Sequence, residues 1–132
     1  MARTIKPDQL GAAVEAALRD YANRVDDNVG DAVKKMAKVA CAEVKRNAAE
    51  HWGKTEVGKK YIRGWTTSFD TKKRSKQGTV YNRLVPGLPH LLEFNHATRG
   101  GGRTQGTPHI MPVMEWVEQE AESWMVDAIE EA

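Results

Sequence analysis

Helical spacing of apolar residues runs through most of this 132-residue chain, and only a central part departs from it. Apolar residues recur every three or four positions over residues 7–25, from about 28 to 51, and from Pro112 onward. Two stretches between them, YIRGWTTSF (61–69) and TVYNRLV (79–85), alternate as strands do. The pattern predicts an α+β fold: two N-terminal helices, a small antiparallel sheet with a long β-hairpin, and a C-terminal amphipathic helix.

Local signals set the expected boundaries of the N-terminal helices. Pro7 suits the first turn of a helix, where its missing N–H has no partner to lose. Asp27 or Asn28 can cap a second helix, and Gly53 and Gly58 interrupt the pattern after it. A chain of this length builds about one hydrophobic core, so we expect residues 1–132 to form a single domain.

The C-terminal helix carries a wide apolar stripe. Because a stripe of this width covers more than one neighbour, we expect most of it in the core and part of it against another subunit. The two tryptophans are our candidates for that contact. The stripe consists of Val113, Trp116, Val117, Ala121, Trp124, Met125, Ala128 and Ile129.

Charge is unevenly distributed along the chain, although the net charge is only +2. Residues 54–76 hold eight Lys or Arg against two acids, whereas no Lys or Arg follows Arg103 and seven acids lie between Glu115 and Glu131. This asymmetry favours head-to-tail contacts or charge-matched partners. Two solvated surfaces are the simpler alternative.

Two basic segments are candidates for partner contact. The tip of the predicted hairpin could bind nucleic acid in a salt-sensitive manner, or could be solvated or dock onto an acidic protein surface. The segment RGGGR (99–103) lacks the spacing of a phosphate-binding loop, but its arginines could contact a nucleic-acid backbone. The alternative is a flexible loop of low order that folds against a partner. The basic candidates are Lys72, Lys73, Arg74, Lys76, Arg99 and Arg103.

A histidine-rich stretch raises the question of a metal site. His90, Glu93 and His96 are spaced H-x-x-E-x-x-H, which in a helix separates the histidines by about 9 Å along the axis. One possible function is a metal-dependent hydrolase that uses these residues and His109. However, a zincin places its two histidines four residues apart. We therefore expect capping or packing roles, no metal and no cofactor.

Catalysis and export have no positive support in the sequence. Cys41 is the single cysteine, and its helical surroundings predict a buried apolar role. No Ser-His-Asp or paired-carboxylate pattern is present, so we expect no enzyme. The first ten residues lack the apolar run of a signal peptide, and no stretch is long and apolar enough to cross a membrane. We therefore expect synthesis in the cytoplasm and no membrane partner.

Two blocks of the chain resemble a known family. TEVGKKYIRGWTTSF resembles a T-G-x-L-x-x-S-type segment that opens a sheet. GTVYNRLVPGLPHLLEFNHATRGGGRTQGTPHIMPV resembles a block with a V-Y-N-like strand, an L-E-F-G-like turn, a variable loop and a proline-bracketed segment. Together they cover about residues 53–117 and are similar to the small neck, tail-completion or head–tail joining proteins of long-tailed bacteriophages and prophages. Asn95 replaces the usual glycine, and His109 and Ile110 occupy an R-P-F-type position.

The resemblance implies a structural virion protein of the neck, host-made and without catalysis. It implies a ring of roughly six or more copies, or a subunit joining one, between the portal complex and the tail. The implied partners are the chain itself, other neck proteins, the tail tube and genomic DNA in the channel. A small nucleic-acid-binding protein is the alternative function. His109 and Ile110 join the basic residues and tryptophans as interface candidates. The turn-defining candidates are Leu91, Leu92, Glu93, Phe94, Asn95, Pro108 and Pro112, with Leu91, Leu92 and Phe94 anchoring the turn to the core.

Overall fold

A computed structural model describes residues 6–72 and 74–132. The prediction of an α+β fold is confirmed, because long helices flank two small antiparallel strand pairs. A short 3-10 turn (Pro7–Gln9) leads into the first helix, and Pro7 lies at its start as predicted. The elements in chain order are α1 (Leu10–Trp52), α2 (Glu56–Gly64), β1 (Trp65–Asp70), β2 (Gln77–Asn82), α3 (Pro89–Glu93), β3 (His96–Ala97), β4 (Arg103–Thr104) and α4 (Met111–Glu130).

The prediction of two N-terminal helices is wrong, because α1 is one helix of 43 residues. Val25, Val29 and Val33 keep the four-residue spacing across the expected break, so the half-buried stripe never changes face. No proline interrupts it there. Asn28, expected to cap a second helix, donates from Nδ2 to the Ala128 carbonyl at 3.2 Å.

Helix α2 takes in four residues that alternation assigned to the first strand, namely 61–64. Thr55 caps this helix, since its Oγ1 accepts from the Gly58 N–H at 3.0 Å. Gly58 therefore lies inside a helix, where a Cβ would stand 1.8 Å from the Trp52 carbonyl oxygen. Gly53 does end α1 as expected. A short aromatic run is compatible with the periodicity of a helix or of a strand, and here the Thr55 cap favours the helix.

The predicted β-hairpin is confirmed, with β1 and β2 antiparallel and Trp65 opposite Asn82. The second strand ends at Asn82 rather than at residue 85, and the connection is confined to residues 71–76. The hairpin lies along α1: a Cβ on Gly30 would stand 3.5 Å from Thr71 Cβ. The connection is therefore shorter than expected, and Thr71 at its start packs against the helix.

The main core lies where α1, α2, β1 and the start of α4 meet. Its buried residues are Ala40, Cys41, Val44, Ala48, Tyr61, Trp65 and Val113. Helix α4 packs antiparallel on α1, and Asn47 Nδ2 donates to the His109 carbonyl at 3.2 Å near its start. Cys41 is buried as predicted, and burial raises the pKa of its thiol despite the opposing charge of Lys45.

The first part of α1 extends away from this core. We call residues 10–24 the N-terminal arm; they span about 20 Å at 1.5 Å per residue. Every arm residue except Ala13 is exposed, including Leu10, Val14, Leu18 and Tyr21. The arm thus presents an apolar stripe that the described fold does not cover.

Candidate functional site

The turn singled out by the sequence is built around a buried carboxylate. Glu93, the last residue of α3, is only 4% exposed and sits under the N-terminus of α4. Its Oε1 accepts from the backbone N–H groups of His109 (2.9 Å) and Ile110 (2.8 Å), and its Oε2 from that of Met111 (3.0 Å). A negative charge there satisfies amides that lack a helical partner and complements the helix dipole. Glu93 therefore fixes where α4 begins.

His109 lies in the core rather than on the surface. Its ring is fully buried, its Nε2 is 2.5 Å from the Tyr61 hydroxyl, and its Nδ1 lies 2.9 Å from the Thr107 carbonyl and 3.0 Å from Glu93 Oε1. Trp52 packs edge-on against it, with ring centroids 4.8 Å apart. A side chain enclosed in this way has no surface for a partner, so His109 leaves the set of interface candidates.

Burial also shifts the chemistry of Tyr61. Removal from water raises the pKa of the Tyr61 phenol above its usual value, and the charge of Glu93 raises it further. The hydroxyl therefore stays protonated and can donate to His109 Nε2. This arrangement binds a helix, a turn and the start of α4 together, which is a structural role.

A second pair of contacts ties the α3 turn to the segment before α4. Asn95 Oδ1 accepts from the Gly106 N–H at 2.6 Å, and the Thr107 N–H donates to the Leu92 carbonyl at 2.7 Å. Asn95 does not adopt a left-handed backbone. We call residues 92–95 and 106–111 together the clamp.

The remaining turn candidates divide between core and surface. Leu92 packs against the core and Leu91 is half-buried, but Phe94 is 57% exposed, so its role as an anchor is wrong. Because the Glu93 side chain points inward to reach the backbone N–H groups of α4, the adjacent Phe94 side chain points outward. Pro108 is exposed, and Pro112 lies in the first turn of α4 as predicted.

Asn82 is a buried residue that sequence reasoning quoted in a motif but did not rank as a site. Its Nδ2 donates to the Tyr61 carbonyl at 2.7 Å, and its Oδ1 accepts from the N–H groups of Leu84 and Val85. Asn82 thus ends β2 and ties it to α2. The signal that could have identified it is an asparagine that follows an alternating run and precedes a Pro-Gly turn.

An open apolar groove of about 560 Å³ lies between the hairpin and α4, and α1 forms its floor. Its walls are mostly apolar and include Trp65, and the exposed side chains of Tyr81 and Met114 also line it. Ile110, an interface candidate, is half-buried in its lining. Open apolar concavities of this kind commonly bind partners. The aliphatic lining residues are Ala40, Val44, Val80, Ile110, Val113 and Val117.

The basic candidates lie on two separate hairpins. Lys72 and Arg74 are exposed at the tip of the first, Lys76 is half-buried with its Nζ 2.6 Å from the Thr71 carbonyl, and Lys73 lies outside the described residues. Arg99 and Arg103 are exposed on the second hairpin, so the irregular loop predicted here contains a short strand pair; its ordering against a partner stays a prediction.

That second hairpin is held by its own turn. β3 pairs with β4, the Thr98 N–H donates to the Gly102 carbonyl at 2.8 Å, and Gly101 supplies the left-handed backbone with φ +85°. Glycine therefore builds a tight turn here and presents Arg99 at its end.

The two tryptophan candidates are half-buried along the seam between α4 and α1. Trp116 and Trp124 contact each other edge-on, with ring centroids 5.7 Å apart. Their outer edges stay accessible, so a partner could still reach them.

The histidine-rich stretch does not form a metal centre in the part of the chain that the structure describes. No group of three or more His, Cys, Asp or Glu is placed there to hold a metal ion. Glu93 meets His109, but its oxygens are occupied by backbone N–H groups. The geometry thus gives no support to the hydrolase reading.

The part of the sequence that builds α1, α2, the first hairpin and the α3 turn also shows the family of this chain. Residues 12–94 match the family described as "Bacteriophage HK97-gp10, putative tail-component", which is more than half of the chain. The chain belongs to this family. Its role is therefore structural and tail-related, in a bacteriophage virion. The match includes most of α1 and ends one residue after Glu93. No curated protein and no solved structure matches the chain.

The structure also adds one fact about membranes. None of the helices in the two described ranges combines the length and the apolar composition needed to span a bilayer.

Proposed function

We propose that this chain is a structural protein of the phage head–tail connector, acting in the neck, in tail completion or as the tail terminator. It forms or joins an oligomeric ring that links the capsid portal complex to the tail. One observation carries the proposal beyond family membership: the fold leaves two apolar surfaces open, the arm and the groove. Apolar surfaces of this extent are typical of subunits that bury them in an assembly.

The exposed hairpins supply the contacts to neighbouring components in this proposal. Arg99 and Arg103 stand on a small, well-held hairpin that can reach an adjacent ring without disturbing the core. The outward-facing acids of α4, among them Glu115, Glu118 and Glu122, offer a surface of opposite sign. Complementary charge steers such subunits into one orientation.

Nucleic-acid binding, the alternative function, is weakened by the setting of the first hairpin tip. Thr71 lines a small hollow of α1 in which three carboxylates, of Asp26, Asp27 and Asp31, outnumber the one ammonium group of Lys34. These carboxylates lower the positive potential that a phosphate backbone would require. Contact with DNA in the channel stays part of the proposal only through Arg99 and Arg103.

Gene replacement in the phage or prophage that encodes the chain tests the proposed function. Without the gene, electron micrographs of lysates should show full heads and finished tails that are not joined. Restoring it should return joined particles, with the chain detected in purified virions by mass spectrometry. Joined, infectious particles that lack the chain would overturn the proposal.

The Arg99 and Arg103 contacts need a milder variant than removal of the whole loop. Deleting residues 99–106 would also remove Gly106 from the clamp, so a loss of joining could reflect unfolding. Arg99→Ser combined with Arg103→Ser leaves the β3–β4 pairing in place. Fewer joined particles, with an unchanged unfolding midpoint, is the expected result; normal joining would remove these arginines from the mechanism.

A further inference from the structure

The two uncovered surfaces, the arm and the groove, are both apolar. Leu10, Val14, Leu18 and Tyr21 recur at helical spacing along the arm, and all are exposed, Leu18 by 65%. A helix that presents such a stripe binds an apolar groove through side chains at this spacing. The groove beside α4 is open to solvent, and its lining is mostly apolar, with Asn82 and Glu118 as its polar members.

The arm cannot fill the groove of its own chain. Ala40 and Val44 in the groove floor belong to α1, the same continuous helix as the arm. Leu18 and Ala40 are therefore held about 33 Å apart along the axis, and Val14 and Val44 about 45 Å. Reaching back would require breaking α1, which has no proline in its interior. An arm that binds this groove must come from another copy.

We propose that the N-terminal arm of each subunit binds in the apolar groove of the next copy of this chain. The two surfaces are different, so the contact is head-to-tail, and repetition closes a ring when the rotation allows. This inference rests on the proposed function, because it supplies the subunit contact of the proposed ring. One helix in one groove is a small interface, so we expect association that depends on protein concentration. Confinement in a particle raises the effective concentration and completes the ring.

Matched variants of the full chain test the proposal by sedimentation equilibrium up to millimolar concentration. Leu18→Asp disables the arm and Met114→Asp disables the groove; both side chains are exposed, so folding should survive. Asn23→Asp and Gln119→Asp add the same charge to exposed positions of the same helices, each 140° around the axis from the residue it controls. The first two should weaken association at least tenfold, and the controls should leave it unchanged.

Mixing the two disabled variants gives the sharpest result. Leu18→Asp keeps an intact groove and Met114→Asp keeps an intact arm, so together they can make one contact and no further one. The mixture should reach twice the 14.7 kDa chain mass and stop there, while each variant alone stays monomeric. A head-to-tail contact predicts this capped pair, whereas a symmetric contact does not.

Three outcomes would overturn the inference: a wild-type chain that stays monomeric at every concentration, a Leu18→Asp variant that behaves like Asn23→Asp, or a mixture no heavier than its parts. These results are separate from the gene-replacement test. A chain required for joining that never self-associates would retain the connector role and lose the arm–groove contact. A chain that self-associates but is dispensable would do the reverse.

Discussion

The clamp and the N-terminal arm differ in how far their side chains are buried and bonded within the chain. In the clamp, Glu93 accepts three backbone hydrogen bonds, Asn95 and Thr107 add two more, and His109 is enclosed by aromatic rings. In the arm, large apolar side chains face outward and tertiary contacts are few. The stability of the isolated chain should therefore depend on the clamp, and its assembly on the arm.

The largest expected effect comes from removing the clamp carboxylate. Glu93→Ala leaves the N–H groups of His109, Ile110 and Met111 without their acceptor in a buried place. We expect the free energy of unfolding to fall by about 3–5 kcal/mol, measured by urea denaturation. Glu115→Ala, an exposed position on α4, is the control and should change it by less than about 0.5 kcal/mol. Equal effects would mean that Glu93 does not hold α4.

A methyl group at Gly106 should come next. A Cβ there would stand 2.5 Å from the Glu93 carbonyl oxygen and 2.6 Å from the Phe94 carbonyl carbon, so the backbone must move. Gly106→Ala should lower the free energy of unfolding by about 1–3 kcal/mol. At Gly100 a Cβ meets nothing within 4 Å, and Gly100→Ala should be nearly neutral. A neutral Gly106→Ala would show that the two halves of the clamp are loosely held.

The buried phenol makes the core sensitive to high pH. The pKa of Tyr61 is raised above 10 in the folded chain, so above pH 10 the unfolded chain loses this proton first. The stabilisation that the neutral Tyr61 phenol provides should be complete below about pH 10 and should fall as the pH rises beyond it. Tyr61→Phe should cost about 1 kcal/mol at neutral pH and flatten the alkaline loss. Tyr21→Phe, in the arm, should leave the pH profile as it is.

The smallest effect on stability should come from the arm. Leu18→Asp replaces an exposed side chain, so the free energy of unfolding should change by less than about 0.5 kcal/mol. Hydrogen exchange offers a direct comparison of the two regions: amides of residues 10–24 should exchange much faster than those of 109–111 in a dilute, monomeric sample. Equal protection would mean that the arm is covered in the monomer.

Sequence reasoning recovered those parts of the fold that depend on local pattern. The first hairpin, the helical turn before the second hairpin and the place of Pro112 in the first turn of α4 follow from periodicity and proline chemistry. The boundary at residues 25–28 failed because capping residues do not break a helix whose apolar stripe continues. The assignment of residues 61–64 to a strand failed because the helix capped by Thr55, six to nine residues earlier, outweighed a short alternating run.

The candidate site was harder to predict, because the roles of its residues depend on tertiary contacts between segments that are distant in sequence. Glu93 and His109 were noticed as titratable residues, but only the folded chain shows that one caps α4 and the other fills the core. Phe94 was expected inside and lies outside, since Glu93 takes the inward position. The groove left no signal of its own, because it is a gap between elements whose facing residues are distant in sequence.

The continuity of α1 has a geometric consequence. One uninterrupted helix carries both the arm and the floor of the groove, so the number of residues between them fixes both a length and an angle. Each residue inserted near position 27 would lengthen this spacing by about 1.5 Å and turn the arm by about 100°. Seven inserted residues would restore nearly the original angle while adding about 10 Å. In the proposed ring, the number of residues in α1 would therefore help to set the rotation between neighbouring subunits, and with it the number of subunits.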